Sequence, residues 1–186
     1  NNADNNTAVG FEALKANTTG ANNISVGFQS LNSNTTGSDN VGIGYNVLLD
    51  NTTGLNNVAV GRVALANNTT ASNNTAIGRS ALVMNTTASN NTAVGYESLM
   101  QNTTGHSNVA VGSFALDANT TANYNNALGN HTLSANTTGE YNTGVGHAVL
   151  YSNTTASANT GVGYNALHLN TTGASNTAVG HTALYS

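Results

Sequence analysis

Glycine recurs at every seventeenth residue of this chain, without one slip, from Gly10 to Gly180. The period predicts 11 copies of one unit and leaves almost no residues outside them in a chain of 186. A chain that repeats itself in this way forms a stack of similar units rather than a globular domain with one asymmetric interior. We therefore expect residues 1–186 to form a single repeat array without an ordinary active-site cleft.

Several positions of the unit never change. We number the unit from Asn6 as position 1, so that Gly10 occupies position 5 and Leu14 occupies position 9. Position 1 is Asn, position 5 is Gly and position 9 is Leu in every copy, while position 4 is always Val, Ile or Leu. Positions 12 to 14 are Asn-Thr-Thr in all ten complete copies, and position 15 is only Gly or Ala.

Six other positions, numbers 6, 7, 10, 11, 16 and 17, vary freely. They carry every charged residue of the chain and every Phe, Tyr and His. Because charged side chains are almost never buried without a partner, these six positions should face solvent or another molecule. The remaining positions should form the scaffold.

The composition and the pattern favour strands over helices. Asn, Thr and Gly are abundant, and all three are poor helix formers. Positions 1 to 4, as in residues 57–60, are typical of a short strand, and Asn-Thr-Thr is typical of a second extended stretch or a turn flank. Since the chain has no Pro and no Asn-Gly dipeptide, tight hairpins are not indicated. We predict an all-β fold, a parallel β-solenoid (β-roll or β-helix) of eleven 17-residue coils, either flattened and two-sided or rounded and three-sided.

The interior of such a coil should hold the large apolar residues of positions 4 and 9. A corner or a single helical turn would direct the position 9 Leu inward, because a regular strand would place it on the same face as charged residues. Burying two such side chains gains roughly 1.5–3 kcal/mol each, whereas ordering the backbone costs about 1–2 kcal/mol per residue. One coil alone therefore cannot fold, and we expect Asn ladders at positions 1 and 12 to bind successive coils together.

Units such as residues 91–99, followed by Asn-Thr-Thr-Gly at 102–105, resemble the repeats of tail-fibre-like proteins of phages, viruses and bacteria. The Val-Ala-Val-Gly segments at 58–61 and 109–112 are also similar to the head repeats of trimeric autotransporter adhesins, which form a left-handed parallel β-roll. The resemblance covers the whole chain, although the period here is longer and the Asn-Thr-Thr block is additional. It implies a fibre or an adhesin outside the cell, with trimers as one form of assembly.

Charge and residue types exclude several functions. Three basic residues and a net charge of −4 argue against nucleic-acid binding, and no apolar run approaches the length of a membrane span. The five His residues occupy four different positions, and His147 and His181, which share one, lie two coils apart. Two ligands about 10 Å apart along a stack of strands cannot hold one metal. We expect no catalytic residues, no cofactor and no metal.

The Asn-Thr-Thr block is also an acceptor pattern for N-glycosylation. An Asn ladder at a corner explains the block equally well, and an Asn committed to such a ladder cannot carry a glycan. The candidate glycosylation sites are Asn17, Asn34, Asn51, Asn68, Asn85, Asn102, Asn119, Asn136, Asn153 and Asn170.

Two further features are candidates for contact with a ligand. The Thr residues of positions 13 and 14 form regular files of the kind that ice-binding solenoids require, although only one of two adjacent Thr residues can face water. Position 6 carries aromatic residues that a solenoid would place on one line, where they could stack on sugars or pack against a neighbouring chain. These residues are Phe11, Phe28, Tyr45, Tyr96 and Tyr164.

These observations favour a structural or adhesive segment of an extracellular fibre or surface appendage, on a cell or a virion, over an enzyme. Its partner would be a second copy of itself, bound laterally or end to end, with surface glycans as a further partner. A carbohydrate-binding or ice-binding β-solenoid is the alternative. Thermal hysteresis of a soluble monomer would favour ice binding, whereas a visible filament would favour structure.

Overall fold

The computed structural model describes residues 3–186 and contains one three-residue strand in each coil, at positions 2 to 4 of the unit. Alternation of small and β-branched residues over these positions suits a short strand with one face inside and one outside. The strands are β1 (Thr7–Val9), β2 (Ile24–Val26), β3 (Val41–Ile43), β4 (Val58–Val60), β5 (Thr75–Ile77), β6 (Thr92–Val94), β7 (Val109–Val111), β8 (Asn126–Leu128), β9 (Thr143–Val145), β10 (Thr160–Val162) and β11 (Thr177–Val179).

The strands form one 11-stranded parallel sheet in which the order follows the chain from β1 to β11. Each residue pairs with the residue at the same position of the next coil, as Val58 does with Thr75. The predicted all-β parallel solenoid is therefore confirmed. The Asn-Thr-Thr stretch forms bends instead of a second strand, so turns and bends make up the rest of the coil's perimeter in the described residues.

Hydrogen bonds between coils extend well beyond the sheet. In the sheet, Thr92 N donates to Asn108 O at 2.9 Å, and in the turn that follows, Leu99 N donates to Ala115 O at 2.9 Å. In the bend, Thr103 N donates to Thr120 O at 2.9 Å. Most of the perimeter is thus bonded to the neighbouring coil, which satisfies backbone groups that a single coil would leave without partners.

Position 9 reaches the interior through a turn with left-handed backbone. Positions 7 and 9 both have φ near +50°, for example 53° at Glu97 and 52° at Leu99. The turn buries the Leu side chains as predicted, although its left-handed backbone differs from an ordinary helical turn. This conformation costs a non-glycine residue roughly 1–2 kcal/mol, so it persists only because the stack of neighbouring coils holds it. The fully buried members of this file are Leu31, Leu48, Leu65, Leu82, Leu99, Leu116, Leu133 and Leu150.

The prediction that position 4 belongs to the core is wrong. Ile43 and Leu128, both at position 4, expose 41% and 50% of their surface, whereas Ala59 and Ala93 at position 3 are fully buried. Successive strand residues point to opposite faces, and the buried Asn at position 1 places position 3 inside as well. Positions 2 and 4 therefore point outward. Since the Thr of position 14 is exposed as well, fewer positions form the interior scaffold than the eleven expected from the sequence.

Steric limits explain why the small residue of the strand is the one inside. The side chain at position 8 of one coil lies under position 3 of the next. A Cβ added at Gly144 would lie 2.5 Å from Cγ2 of Thr132, and one added at Gly161 would lie 2.5 Å from Cγ1 of Val149. At these two places the facing strand residue has no side chain, which leaves room for the larger residue and keeps the interior densely packed.

The glycine at position 5 provides a sharp test of this packing. Gly95 has φ of +139°, and a Cβ added there would lie 2.5 Å from Gly112 O. We expect Gly95→Ala to lower the free energy of unfolding by about 3 kcal/mol or more, because both the backbone conformation and the contact with the next coil oppose it.

Gly105→Ala is the matched control, because a Cβ added there would lie 2.3 Å from Ala122 O, as close as at Gly95, but the backbone of Gly105 is not left-handed. Position 15 is also naturally Ala in four coils, for example at Ala71 and Ala122. This change should alter stability by no more than about 1 kcal/mol. Chemical denaturation followed by circular dichroism measures both, and equal losses in the two variants would contradict the assignment of position 5.

Candidate functional site

The side chains of the Asn-Thr-Thr block hold the coil together from inside. Asn102 is fully buried, and its Nδ2 donates to Asn85 Oδ1 at 3.0 Å and to Gly105 O at 2.8 Å. Its Oδ1 accepts from Asn119 Nδ2 at 2.9 Å. The same three contacts recur from coil to coil, so the predicted Asn ladder at position 12 is present.

This geometry argues against glycosylation at the candidate sites. A glycan would replace an Nδ2 hydrogen that is bonded inside the coil, and it would have to occupy the space of the neighbouring coils. Eight of the ten candidates are fully buried, and Asn17 and Asn170, in the outer coils, make the same bonds to the carbonyl three residues on. Of the two interpretations of the block, the Asn ladder is the one that these hydrogen bonds support, and glycosylation remains only a candidate.

A second Asn ladder runs along position 1. Asn91 Nδ2 donates to Gly105 O at 2.9 Å, and Asn91 Oδ1 accepts from the backbone N of Asn108 at 3.0 Å. Each of these side chains therefore joins the start of the strand to the bend that closes the coil and also to the next coil. Two buried amides in each coil take the place that larger apolar residues occupy in an ordinary core.

The two Thr residues of the block have different surroundings. Thr103 Oγ1, at position 13, donates to Thr120 O at 3.0 Å, and this bond recurs in most coils. Thr104 and the other position 14 residues are exposed in all ten copies of the block. Both Thr files are therefore at least partly exposed, contrary to the prediction that only one faces water, but only the position 14 file is exposed in every copy.

The aromatic residues of position 6 stack on their own neighbours. The ring centroids of Phe11 and Phe28 are 5.2 Å apart, and those of Phe28 and Tyr45 are 5.3 Å apart. Tyr164 lies between His147 and His181 at 5.3 and 5.1 Å. The faces of the inner rings are covered, so their edges point outward. A sugar stacks on an open ring face, and the position 6 residues therefore offer little platform for stacking.

A longer aromatic file crosses three variable positions. It contains one ring from each of six successive coils, with centroid separations of 5.2, 4.9, 6.1, 5.1 and 5.2 Å. Sequence reasoning missed this file because its members do not share a position, although the presence of an aromatic ring in each of the last six coils was a detectable signal. The members are Tyr96, Phe114, His131, Tyr151, His168 and Tyr185.

The outward face of the sheet, formed by positions 2 and 4, is the largest uniform surface of the molecule. It carries Thr, Val, Ile, one Leu and one Asn, and no charged residue in any coil. Its apolar side chains are partly or largely exposed, for example Ile24 at 41% and Ile77 at 40%. We call this surface the strand face. Sequence reasoning missed it because position 4 was assigned to the core.

Residues 3–186 contain no pocket and no group of three or more His, Asp or Glu side chains arranged to hold a metal ion. The His residues instead stack on aromatic rings, and His168 Nδ1 also lies 3.0 Å from Ala148 O. Burial raises the pKa of the Asp117 carboxyl even though the Ser134 hydroxyl donates to it at 2.6 Å. Within the same residues, no helix has the length and apolar character needed to cross a bilayer.

The sequence matches no protein-family model, and neither a curated protein nor a solved structure shows significant similarity to it. The resemblance to fibre and adhesin repeats therefore depends on the quoted motifs alone.

Asn102→Asp tests the role of the ladder. A carboxylate cannot donate to Asn85 Oδ1 or Gly105 O, so the charged form is strongly disfavoured inside the coil and the pKa of the new group should rise on folding. Both states are neutral well below pH 4, and the unfolded chain ionises first as the pH rises. Denaturation from pH 3 to pH 7 should therefore show the variant losing stability with rising pH, by up to about 1.4 kcal/mol per pH unit.

Asn73→Asp is the matched control, because Asn73 is exposed at position 17, where Asp39 occurs naturally. It should stay within about 0.5 kcal/mol of the parent chain over the same range. A stability of Asn102→Asp that does not depend on pH would show that the amide at position 12 is not a required donor.

Proposed function

We propose that this chain is a non-catalytic structural segment of an extracellular fibre or surface appendage, on a cell or a virion, and that its copies associate with one another. The strand face is the observation that carries the proposal. It is unbroken along the whole array, and within the described residues it has neither a charge nor a cavity that would suit a small substrate.

The size of the strand face suits association between copies. Eleven strands spaced about 4.8 Å apart make a face roughly 50 Å long. Two such faces in contact would bury on the order of 1,000 Å² in total, near the lower limit for specific interfaces. β-Branched side chains from two flat sheets interdigitate well at a spacing of about 10 Å. Apolar patches of this extent on a protein surface commonly mark interaction sites.

The distribution of charge also favours lateral contact. All seven acidic residues lie outside positions 2 and 4, so two strand faces can meet without burying a carboxylate. With charged residues at only 5% of the chain, little electrostatic repulsion keeps copies apart. The stack then supplies stiffness along its axis, while the strand face supplies cohesion between chains. One such face per chain is covered by the same face of a second chain, so a pair is the assembly that this contact builds directly.

Ice binding is a second candidate, supported by a different surface. The position 14 file presents ten exposed Thr residues, one from each of the first ten coils, whereas the other strongly exposed turn positions vary. A rigid row of methyl and hydroxyl groups at regular spacing can order water. Measuring thermal hysteresis on the parent chain and on Thr104→Lys tests this candidate without reference to assembly.

The fibre proposal predicts concentration-dependent association through the strand face. Sedimentation velocity over a concentration series should show the parent chain as an oligomer or a filament. Val94→Lys combined with Val145→Lys should shift it toward monomer, because both positions lie on the strand face and the new charges would be desolvated on contact.

The control pair is Thr104→Lys with Thr155→Lys, which adds the same charge at the exposed position 14. This pair should associate like the parent chain, and circular dichroism should show that all variants keep the fold. A parent chain that stays monomeric at high concentration, or equal effects of the two pairs, would refute lateral assembly through the strand face.

A further inference from the structure

Two of the three basic residues of the chain are neighbours on the surface. Arg62 and Arg79 occupy position 6 of successive coils, and both are exposed. Side chains at position 6 of adjacent coils lie about one coil apart, as the 5.2 Å separation of Phe11 and Phe28 shows. The third basic residue, Lys15, lies 2.6 Å from the Glu12 carboxylate. The arginines therefore form the one cluster of positive charge among residues 3–186.

Aromatic rings on both sides hold the two guanidinium groups in place. Arg62 Cζ lies 5.7 Å from the centre of the Tyr45 ring, in the preceding coil. Arg79 Cζ lies 5.3 Å from the centre of the Tyr96 ring in the following coil, and its Nη1 donates to the Tyr96 hydroxyl at 2.9 Å. Four successive coils thus present the order Tyr45, Arg62, Arg79 and Tyr96. Cation–π contacts of this kind reduce the freedom of the arginines before any ligand arrives.

The pair has no carboxylate partner in the described part of the chain. No acidic oxygen lies within 4.0 Å of either guanidinium, since the one ion pair found is that of Lys15 with Glu12. Glu97 is the acidic residue of the coil that contains Tyr96, and its carboxylate acts on the Tyr96 hydroxyl, whose pKa it raises. Like charges placed opposite each other on neighbouring strands repel. An anion bound between them would remove that repulsion.

We propose that Arg62 and Arg79 form a binding site for an oxyanion of an acidic polysaccharide, a sulfate ester or a carboxylate. The planar guanidinium presents a fork of N–H donors that matches these groups, and two adjacent forks can share the oxygens of one group. The two guanidinium groups would thus recognise the glycan by its charge, because the faces of the aromatic rings are covered and cannot stack on a sugar.

The surrounding charge determines which polyanion fits. The chain carries seven acidic residues and a net charge of −4, which opposes a polymer with a charge at every step, such as a nucleic acid. A glycan with acidic groups at intervals can place one group on the arginine pair and neutral sugar elsewhere. This site goes beyond the proposed fibre function, because a rod that only assembles needs no anion site.

Binding of the full chain to immobilised dextran sulfate with sulfate esters on a minority of its sugars tests the proposal, with unsulfated dextran of equal length and polygalacturonate with most of its carboxyls methyl-esterified as the other surfaces. The parent chain should bind dextran sulfate, polygalacturonate or both, with an affinity that falls as salt rises, and should not bind dextran. The double variant Arg62→Gln/Arg79→Gln should lose at least tenfold in affinity. Arg62→Lys/Arg79→Lys should retain part of the binding, since charge remains but the fork is lost.

Lys15→Gln is the control, because it removes the same unit of charge from a residue already paired with Glu12. It should change affinity by less than twofold. Absence of binding by the parent chain, or equal losses in Lys15→Gln and in each single arginine variant, would overturn the proposal. The proposal would also be overturned if the parent chain bound no glycan and the double variant lost self-association. That result would assign the arginines to contact with a second copy. Circular dichroism confirms the fold of each variant, and the binding readout stands apart from the sedimentation test of lateral assembly.

Discussion

Hydrogen bonding between successive coils is the interaction on which every other feature of this protein depends. Each coil has one strand of three residues, which is far too little for an independent sheet. Bonds from the sheet, the turn and the bend all run to the neighbouring coil, as do the Asn ladders of positions 1 and 12. The stack therefore supplies what a single coil lacks, including the energy that holds Leu at position 9 in a left-handed conformation.

The period and the chemistry of the side chains made much of this fold predictable. Regular spacing of Gly95 and its equivalents indicated a solenoid, the absence of Pro and Asn-Gly indicated parallel stacking, and charge indicated which turn positions face outward. Leu99 was correctly placed inside because its neighbours on a regular strand would have been charged or polar. The Asn ladders followed from the need to satisfy corner backbone groups. These inferences succeeded because each one depends on a property that repeats in every coil.

The predictions that failed depend on how space inside the coil is shared. Position 4 was assigned to the core from its hydrophobicity, but the interior beside the strand has room only for Ala, Ser or Gly. The sequence shows that position 3 is Gly144 in the coil after Thr132. Only the contact between the two residues in the structure explains why that position has no side chain. The strand face was missed for the same reason. The aromatic file was missed because rings at different positions become neighbours only after the left-handed turn is known.

The surface consists of separate rows of side chains, which differ in polarity and in how much they vary from coil to coil. The strand face is uncharged and largely apolar, the position 14 file is polar and uniform, and the variable positions carry the rings and the charges. A repeated scaffold allows such a division, because a change in one variable position does not disturb the ladders inside. Function in this molecule is therefore a property of rows of residues, and the arginine pair is the one place where two neighbouring members of a row bring together like charges.

The dependence of stability on coil number tests this account most directly. Chains shortened by whole 17-residue units, from eleven coils down to two, would be unfolded by denaturant and followed by circular dichroism. If stacking supplies the stability, the shortest chains should be disordered, and the midpoint should rise with each added coil before it levels off. A two-coil chain that folds as a monomer, or a midpoint that does not change with length, would show that each coil is stable alone and would contradict the account.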